Sequence, residues 1–593
     1  MRLIGSIIAL LGLCLVYWTG LKAGASERSA AESRSGGAAA AGFQAPAGSV
    51  YTSGVEVESL LRSWADVDRG RIRLVQVAEV EGRAPVTGIE FAARPFGSGA
   101  GLPLTVLLLG GADGTSLVGG EAVLHAAHAL LLHLDELRPD VRVVAIPRCA
   151  PDALSYTAGE AIDPAFEAWS PDEDQDGLDQ EDPPDDLDGD GMTLDMLVEA
   201  PDGDWCLASD RRVLVRAGPR DAPRYRLTRE GRDDDSDGLH NEDGRAGVDW
   251  ARTFPVGWPG PASDGSGGER PMEDPVTRAV ADFVLELDPT VTMIFAGNHG
   301  GLRFFGGCVD GDKSERVLDL RARLVAGFAR ATGRSTLSAS AGPLPKPSGT
   351  FGDWLQAVIR GTVVEVSPWG PTAVWMDGRP LAGSSDATAF VPRPLDQSGD
   401  LLEMGRAPDD VSALWMRWLD DVRGGAGFVD WHPVDLGGGV TGLVGGWEPF
   451  TKVNPPADQL AFALEGMAPF VEGVLAALPK YEIEVLDVQR DGSLVRIQAR
   501  VSNRGVLEPV AQKPTAEASG DESSATNGGV TLSLEAACDA AIVVGGACAN
   551  LGELRPGAVS APVTWILEAP PGGVIALRAK GPSGLGVERE VRP

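Results

Sequence analysis

The sequence predicts an α/β protein: a mostly parallel mixed sheet covered by helices, followed by a C-terminal β-sandwich. Two observations carry this. Residues 104–109 and 141–146 are uninterrupted apolar runs, as expected of strands buried on both faces, and a helix-length segment separates them. Past Pro479 the texture changes to short runs that alternate apolar and polar residues, with turns between them.

Taken in order, alternation over 72–77 and 86–91 predicts two strands joined by the turn Glu81-Gly82-Arg83. The strand 104–109 leads into a Gly-rich loop at 110–120, a helix over 121–137 and the strand 141–146. This strand-loop-helix-strand order argues for parallel pairing. A helix at 275–287 with a strand at 291–295 repeats the unit, as does a helix at 353–359 with a strand at 362–366. In the last part, strands are expected at 482–488, 494–501, 530–534 and 563–567, with a polar mobile loop at 512–529.

The domain plan follows: a signal peptide over 1–25, a flexible linker over 26–49, an α/β domain over 50–478 and the β-sandwich over 479–593. Arg2, an apolar stretch over 3–18 and small residues at 23–25 have the order of an export signal. Sixteen apolar residues are short of the roughly 20 that span a bilayer. Membrane contact is therefore expected only through an uncleaved signal, and the protein is expected to be periplasmic, cell-surface or secreted. Leu13 before Cys14 is too large for a lipoprotein cleavage site. Export permits disulfides, and Cys538 with Cys548, on either side of a Gly-rich turn, is the expected pair.

Charge excludes one class of function. Lys+Arg 51 against Asp+Glu 85 leaves a net charge of −34, which repels nucleic-acid phosphate, so no nucleic-acid partner is expected. Gly 77 and Pro 43 forecast many turns and long loops.

The negative charge is patterned. Asp172, Asp174, Asp176, Gly177, Glu181 and Asp182 have the same spacing as Asp233, Asp235, Asp237, Gly238, Glu242 and Asp243. A looser third copy is Asp186, Asp188, Asp190, Gly191 and Asp195. Alternate carboxylates gather hard oxygens on one side of a tight loop, and Gly permits the bend around an ion, as in calcium loops of the EF-hand kind. Residues 172–190 hold eleven acids and no Lys or Arg, so a cation would relieve their repulsion. Calcium, in a structural role, is expected in the acidic inserts at 171–198 and 233–243; a solvated acidic surface is the alternative.

GGADGTS at 110–116, VDWARTFP at 248–255, Ala296 and His299 after the strand 291–295, and SGTFGDW at 348–354 with TVVEVSPW at 362–369 fall in an order that resembles the zinc carboxypeptidases of the carboxypeptidase A type, in their exported bacterial form with acidic inserts and a C-terminal β-domain. The resemblance covers about residues 50–478. The family's Gly-Gly-x-His-x-x-Glu motif is matched by Gly110-Gly111-Ala112-Asp113-Gly114-Thr115-Ser116. It puts Asp113 and Ser116 at two family zinc positions. The family's VDLNRNFP is matched by VDWARTFP, which keeps Arg252 as the implied substrate-binding residue and has Ala251 in place of Asn. After the strand 291–295 the third zinc position falls on Ala296, with His299 three residues on. SGTFGDW, then TVVEVSPW, places Glu365 at the position of the catalytic carboxylate, and GFVDWHPVDLGG with the NPP at Asn454 also looks like this subfamily.

Each departure has a chemical consequence. A catalytic zinc needs three protein donors and an open position for water. Of Asp113, Ser116 and Ala296, only the first is a useful donor. Without the ion nothing lowers the water pKa or polarises the peptide carbonyl, and Glu365 alone does not replace that. The expected protein is a pseudoenzyme that binds the C-terminus of a peptide or protein, with peptidase activity absent or weak. Two rivals stay open: an active metallocarboxypeptidase with relocated ligands, in which His299 substitutes beside Asp113 and Glu365, and a calcium-stabilised structural envelope protein. Arg252 reads equally as a carboxylate-binding group and as a loop brace ion-paired to Glu365. The i, i+4, i+7 set Glu121, His125 and His128 reads as a polar helix face.

Overall fold

The computed structural model describes residues 43–97, 104–158, 185–233, 249–250, 252–260, 268, 270–297, 299–305, 315–334, 348–359, 361–370, 375–376, 379–380, 411–507, 529–536, 540–581 and 585–593. The expected signal peptide, most of the expected linker, the loop at 512–528 and Cys538 lie outside them. Among the described residues Cys149, Cys206 and Cys548 carry free thiols, so Cys548 has no described partner.

The main sheet has seven strands. In chain order they are β1 (Ile72–Ala78), β2 (Val86–Ala92), β3 (Leu104–Gly110) and β4 (Val141–Ile146), followed much later by three more. Between them come helices α1 (Gly54–Val67), α2 (Leu117–Leu132) and α3 (Pro151–Ala158). Every residue of β3 is buried, as its unbroken apolar run requires, because α2 covers one face and a second apolar cluster covers the other. A four-strand segment, β5 (Asp195–Glu199), β6 (Trp205–Leu207), β7 (Leu214–Arg216) and β8 (Tyr225–Arg229), precedes α4 (Pro275–Leu287). Asp274 caps α4 by accepting from Val276 N and Thr277 N, and Pro275 sits at its first turn, where a missing N–H costs nothing.

The main sheet is completed by β9 (Val291–Phe295), β10 (Gly301–Phe304) and, after helices α5 (Glu315–Thr332) and α6 (Phe351–Val358), β11 (Thr362–Ser367). Strand order is β1-β2-β4-β3-β9-β11-β10. The central neighbours β4, β3, β9 and β11 are parallel, while β1, β2 and β10 are antiparallel at the edges. The sheet is therefore mixed with a parallel core.

The chain continues through the short hairpin β12 (Trp375–Met376) and β13 (Arg379–Pro380), helix α7 (Val411–Arg423), strands β14 (Phe428–Gly437) and β15 (Val440–Trp447), and helices α8 (Ala457–Leu464) and α9 (Met467–Ala477). Strands β14 and β15 join β5–β8 in a six-stranded antiparallel sheet, order β14-β15-β5-β8-β6-β7, which the sequence reading did not foresee. Its small strands are half-exposed and lack a long apolar run, so periodicity says little about them.

Past residue 480, β16 (Tyr481–Asp491), β17 (Leu494–Asn503), β18 (Thr531–Ala536), β19 (Ala541–Val544), β20 (Cys548–Asn550), β21 (Val563–Glu568), β22 (Ile575–Lys580) and β23 (Gly586–Val591) form two four-stranded antiparallel sheets, β16-β17-β21-β19 and β20-β18-β22-β23. They make a C-terminal β-domain.

Two local expectations need correction. Helix α2 runs over Leu117–Leu132, not 121–137: its start moves back a turn because Asp113 and Asn454 satisfy the amides before it, and a 3-10 turn, Leu134–Glu136, follows its end. The Glu121 face is not polar. Residues 43–53, the last of them beyond the expected linker, are strapped across it: Trp64 Nε1 donates to Gln44 O (2.8 Å), Tyr51 OH to Pro455 O (2.6 Å) and Thr52 N to Glu121 Oε1 (2.5 Å).

Candidate functional site

The parallel strands β3, β9 and β11 all end at one edge of the sheet, so the loops after them converge there, where α/β sheets form ligand crevices. The approach is close. A Cβ on Gly119 would lie 1.9 Å from Phe295 O, so only Gly lets the start of α2 pack against the end of β9. Gly297 turns the next loop with φ +76°.

Asp113 is at the centre of that junction. Its Oδ1 accepts from Thr115 N (3.2 Å) and Ser116 N (2.9 Å), and its Oδ2 from Gly297 N (2.8 Å). One carboxylate thus holds the turn that leads into α2 and ties it to the loop after β9. Ser116 is fully buried, and its Oγ has no hydrogen-bond partner among the described residues. Ala296 is buried and offers only its backbone, donating to Val366 O at 3.2 Å. Asn454 steadies the same loop: Val118 N donates to its Oδ1 (3.1 Å), and its Nδ2 donates to Thr115 O (2.9 Å).

Beside this junction His299 Nδ1 lies 3.4 Å from Glu365 Oε1. Burial pushes the imidazole down to about 3, with the Arg303 charge acting in the same direction, so His299 is neutral at ordinary pH. Burial also raises the Glu365 carboxyl to about 7; Arg303 opposes the shift and the carboxylates of Asp113 and Asp353 add to it. His299 Nε2 and Asp353 Oδ1 are buried without partners among the described residues. A protonated Glu365 can donate to Nδ1 and leave Nε2–H as a donor; an ionised one reverses the tautomer and makes Nε2 an acceptor.

Arg303, missed in the sequence, is the guanidinium that faces Glu365. The two residues pair across β10 and β11, and Arg303 Nη1 lies 4.0 Å from Glu365 Oε2. A single Arg between the buried Leu302 and Phe304 was the available signal, since charge on the inward period of a buried strand is rare. Arg252 is elsewhere: half-exposed, with Nε 3.8 Å from Asp249 Oδ2, so the expected ion pair with Glu365 is not formed. Its backbone packs against Gly349, just before α6: a Cβ there would lie 2.6 Å from Arg252 O, and Phe254 N donates to Gly349 O (2.8 Å).

The acidic repeats are only partly in view. Asp172, Asp174, Asp176, Glu181, Asp235, Asp237 and Glu242 lie outside the described residues, and Asp233 is described alone. In the third copy the carboxylate oxygens of Asp186, Asp188 and Asp190 lie within 4.8 Å of one another. Carboxylate oxygens suit a hard cation in kind, and here both Asp186 oxygens also accept from the amides of Gly189, Asp190 and Gly191. Asp188 also meets His432 Nε2 at 2.7 Å.

The crevice does not fit zinc. Asp113 spends both oxygens on backbone amides, Ser116 offers an enclosed hydroxyl and Ala296 a methyl group. Asp113, His299 and Glu365 do not gather either: among the described residues, Asp186, Asp188 and Asp190 form the one set of three His, Cys, Asp or Glu donors that close.

A family model described as a domain of unknown function (DUF8731) matches residues 480–592. No curated protein matches the chain. Among solved structures it is similar to thrombin activatable fibrinolysis inhibitor, at 13% identity and TM-score 0.35, over 54% of this chain and 66% of that one. It is similar to carboxypeptidase A from Helicoverpa armigera at 13% identity and TM-score 0.36, over 68% of this chain and 80% of that one. It is also similar to a murein-tripeptide amidase from Escherichia coli O157, at 14% identity and TM-score 0.23, over 50% and 83%. These are likenesses, and no role passes from them to a residue of this chain.

Proposed function

We propose that this chain is an exported carboxypeptidase-like protein that has lost its zinc centre and binds the C-terminal end of a peptide or protein in the crevice beyond β3, β9 and β11. The observation that carries the reading is the state of Asp113, whose carboxylate is consumed as a brace between α2 and the loop after β9. With Ser116 and Ala296 beside it, the inherited ligand positions have become a structural junction. The groups left to meet a ligand are polar: the neutral imidazole of His299, the carboxyl of Glu365 and the guanidinium of Arg303. They suit binding and proton sharing, and they lack the Lewis acid that peptide hydrolysis in this family needs. In this reading the C-terminal β-domain is a β-sandwich that serves attachment or stability.

The test uses the full chain. Metal analysis is expected to find no stoichiometric zinc, incubation with unblocked peptides to release no C-terminal residue, and anisotropy of N-terminally labelled peptides to show binding that prefers a free C-terminus over an amide. Zinc-dependent release that disappears in Glu365→Gln would overturn the reading and establish the active enzyme with relocated ligands.

Calcium in the acidic loops belongs to the same proposal, supported by the closeness of Asp186, Asp188 and Asp190. Added calcium is expected to raise the melting temperature and a chelator to reverse it, with most of the effect lost in the double variant Asp186→Asn, Asp188→Asn. A melting temperature indifferent to calcium would leave these loops as solvated acidic surface.

A further inference from the structure

The Arg303 side chain is two-thirds buried, with 31% exposure, and shares its sheet face with Glu365, Thr292 and the apolar Ile294 and Val363, with Phe305 alongside. Its guanidinium sits 5.4 Å from the centre of the Phe305 ring and 4.0 Å from Glu365 Oε2. No hydrogen bond to it is made among the described residues. A guanidinium carries five N–H donors in a planar fork, and removing it from water without acceptors is costly. Among the described residues the more deeply buried arginines do make hydrogen bonds: Arg83 donates to Asp152 (2.8 Å) and Asp274 (2.9 Å), and Arg334 to the carbonyl oxygens of Pro368 and Ala463, although its Nε has no partner. Arg303 differs from them in making none, and it stands beside a second unfilled group. His299 Nε2 is also buried and unpartnered, and both side chains converge on Glu365.

Two unfilled polar groups around one carboxyl mark a place for a ligand's polar end. We propose that Arg303, not Arg252, is the residue that recognises a carboxylate of the bound peptide, with His299 Nε2 as its companion. This rests on the peptide-binding reading and sharpens it. The planar fork matches a carboxylate, and the Phe305 ring holds the guanidinium plane while the apolar surroundings strengthen the pairing. The carboxylate has two possible sources on a peptide's last residue, its main-chain terminus and an acidic side chain. The chain's charge of −34 disfavours long acidic ligands, but that field is screened beyond about 8 Å at physiological salt, leaving the local contact to decide.

The experiment measures binding of three N-terminally labelled peptides to the full chain at physiological salt: one ending in Glu as the free acid, one ending in Ala as the free acid, and one ending in Glu with its terminus amidated. Each is compared on wild type, Arg303→Met, Arg303→Lys and Arg252→Met, with thermal melts confirming that the variants are folded. Arg303→Met is expected to weaken the recognised peptides at least about tenfold, as for a lost charge-assisted contact, and Arg303→Lys to recover part of the loss. Loss shared by both free acids assigns the main-chain carboxylate; loss confined to the two Glu peptides assigns the side chain. If wild type binds but Arg303→Met binds equally well, this inference falls and the peptide-binding function stands. If wild type binds none of the three, both fall.

Discussion

Two buried glutamates, Glu121 on α2 and Glu365 on β11, have carboxyls raised by burial to about 7, yet they live in opposite circumstances. Glu121 accepts from both Thr52 N and Thr52 Oγ1, with the Arg148 charge nearby, so its oxygens hold the strap of residues 43–53 against the helix. The neighbours of Glu365 are farther off, at 3.4 Å and 4.0 Å, and one of them has an empty second nitrogen. The same shift therefore marks a fastening in one place and an open ligand position in the other. Satisfaction of hydrogen bonds tells them apart, and titration does not.

The largest effect that sharpens this contrast is expected at Asp113. Asp113→Ala orphans three backbone amides across two elements and should cost about 2–4 kcal/mol in denaturant unfolding. A near-neutral result would mean that the carboxylate is not a brace and remains available as a ligand. Glu121→Ala comes next, at about 1–3 kcal/mol, together with faster hydrogen exchange at the Thr52 amide. If exchange at Thr52 is unchanged, Glu121 is not the fastening.

Glu365→Gln is expected to do the reverse. The folded carboxyl titrates near 7 and the unfolded one near 4.5, so the folded state holds the proton more tightly between those values. Wild type should lose stability as pH rises from about 4.5 through about 7, whereas the amide cannot ionise. The variant should gain about 3 kcal/mol at pH 8 and nothing at pH 4. Parallel stability curves for the two proteins would show that Glu365 is better paired than its neighbours allow. The smallest effect belongs to Arg303→Met, within about 0.5 kcal/mol, because no internal hydrogen bond is lost; a large destabilisation would make Arg303 a structural group.

What was legible in the sequence divides along the same line. Strands such as Val141–Ile146 and Val291–Phe295, and the helix Pro275–Leu287, coincide with their expected ranges because an apolar period or run, plus a cap at Asp274, leaves little choice of boundary. The motif segments also led to the loops that converge at the crevice. The partners there stayed hidden. That Glu365 would face Arg303 and not Arg252 depends on the antiparallel addition of β10 beside β11, and that Asp113 would meet Gly297 depends on β3 and β9 ending side by side; neither pairing leaves a mark in local periodicity. The six-stranded sheet escaped for the same reason, since β5 and β15 are brought together from distant parts of the chain.

That last pairing sets an order of events during synthesis. Residues Asp195 and Val198 find Gly445 and Gly442 only after roughly 240 further residues have been made, which at about 5–20 residues per second is some 12–50 s of translation. Through that interval β5 has a sheet neighbour on one edge alone, β8, which it meets over Asp195–Glu199 and Tyr225–Arg229. The second edge of β5 is thus secured late, and a chain cut short before Val440 would leave that edge without its partner strand.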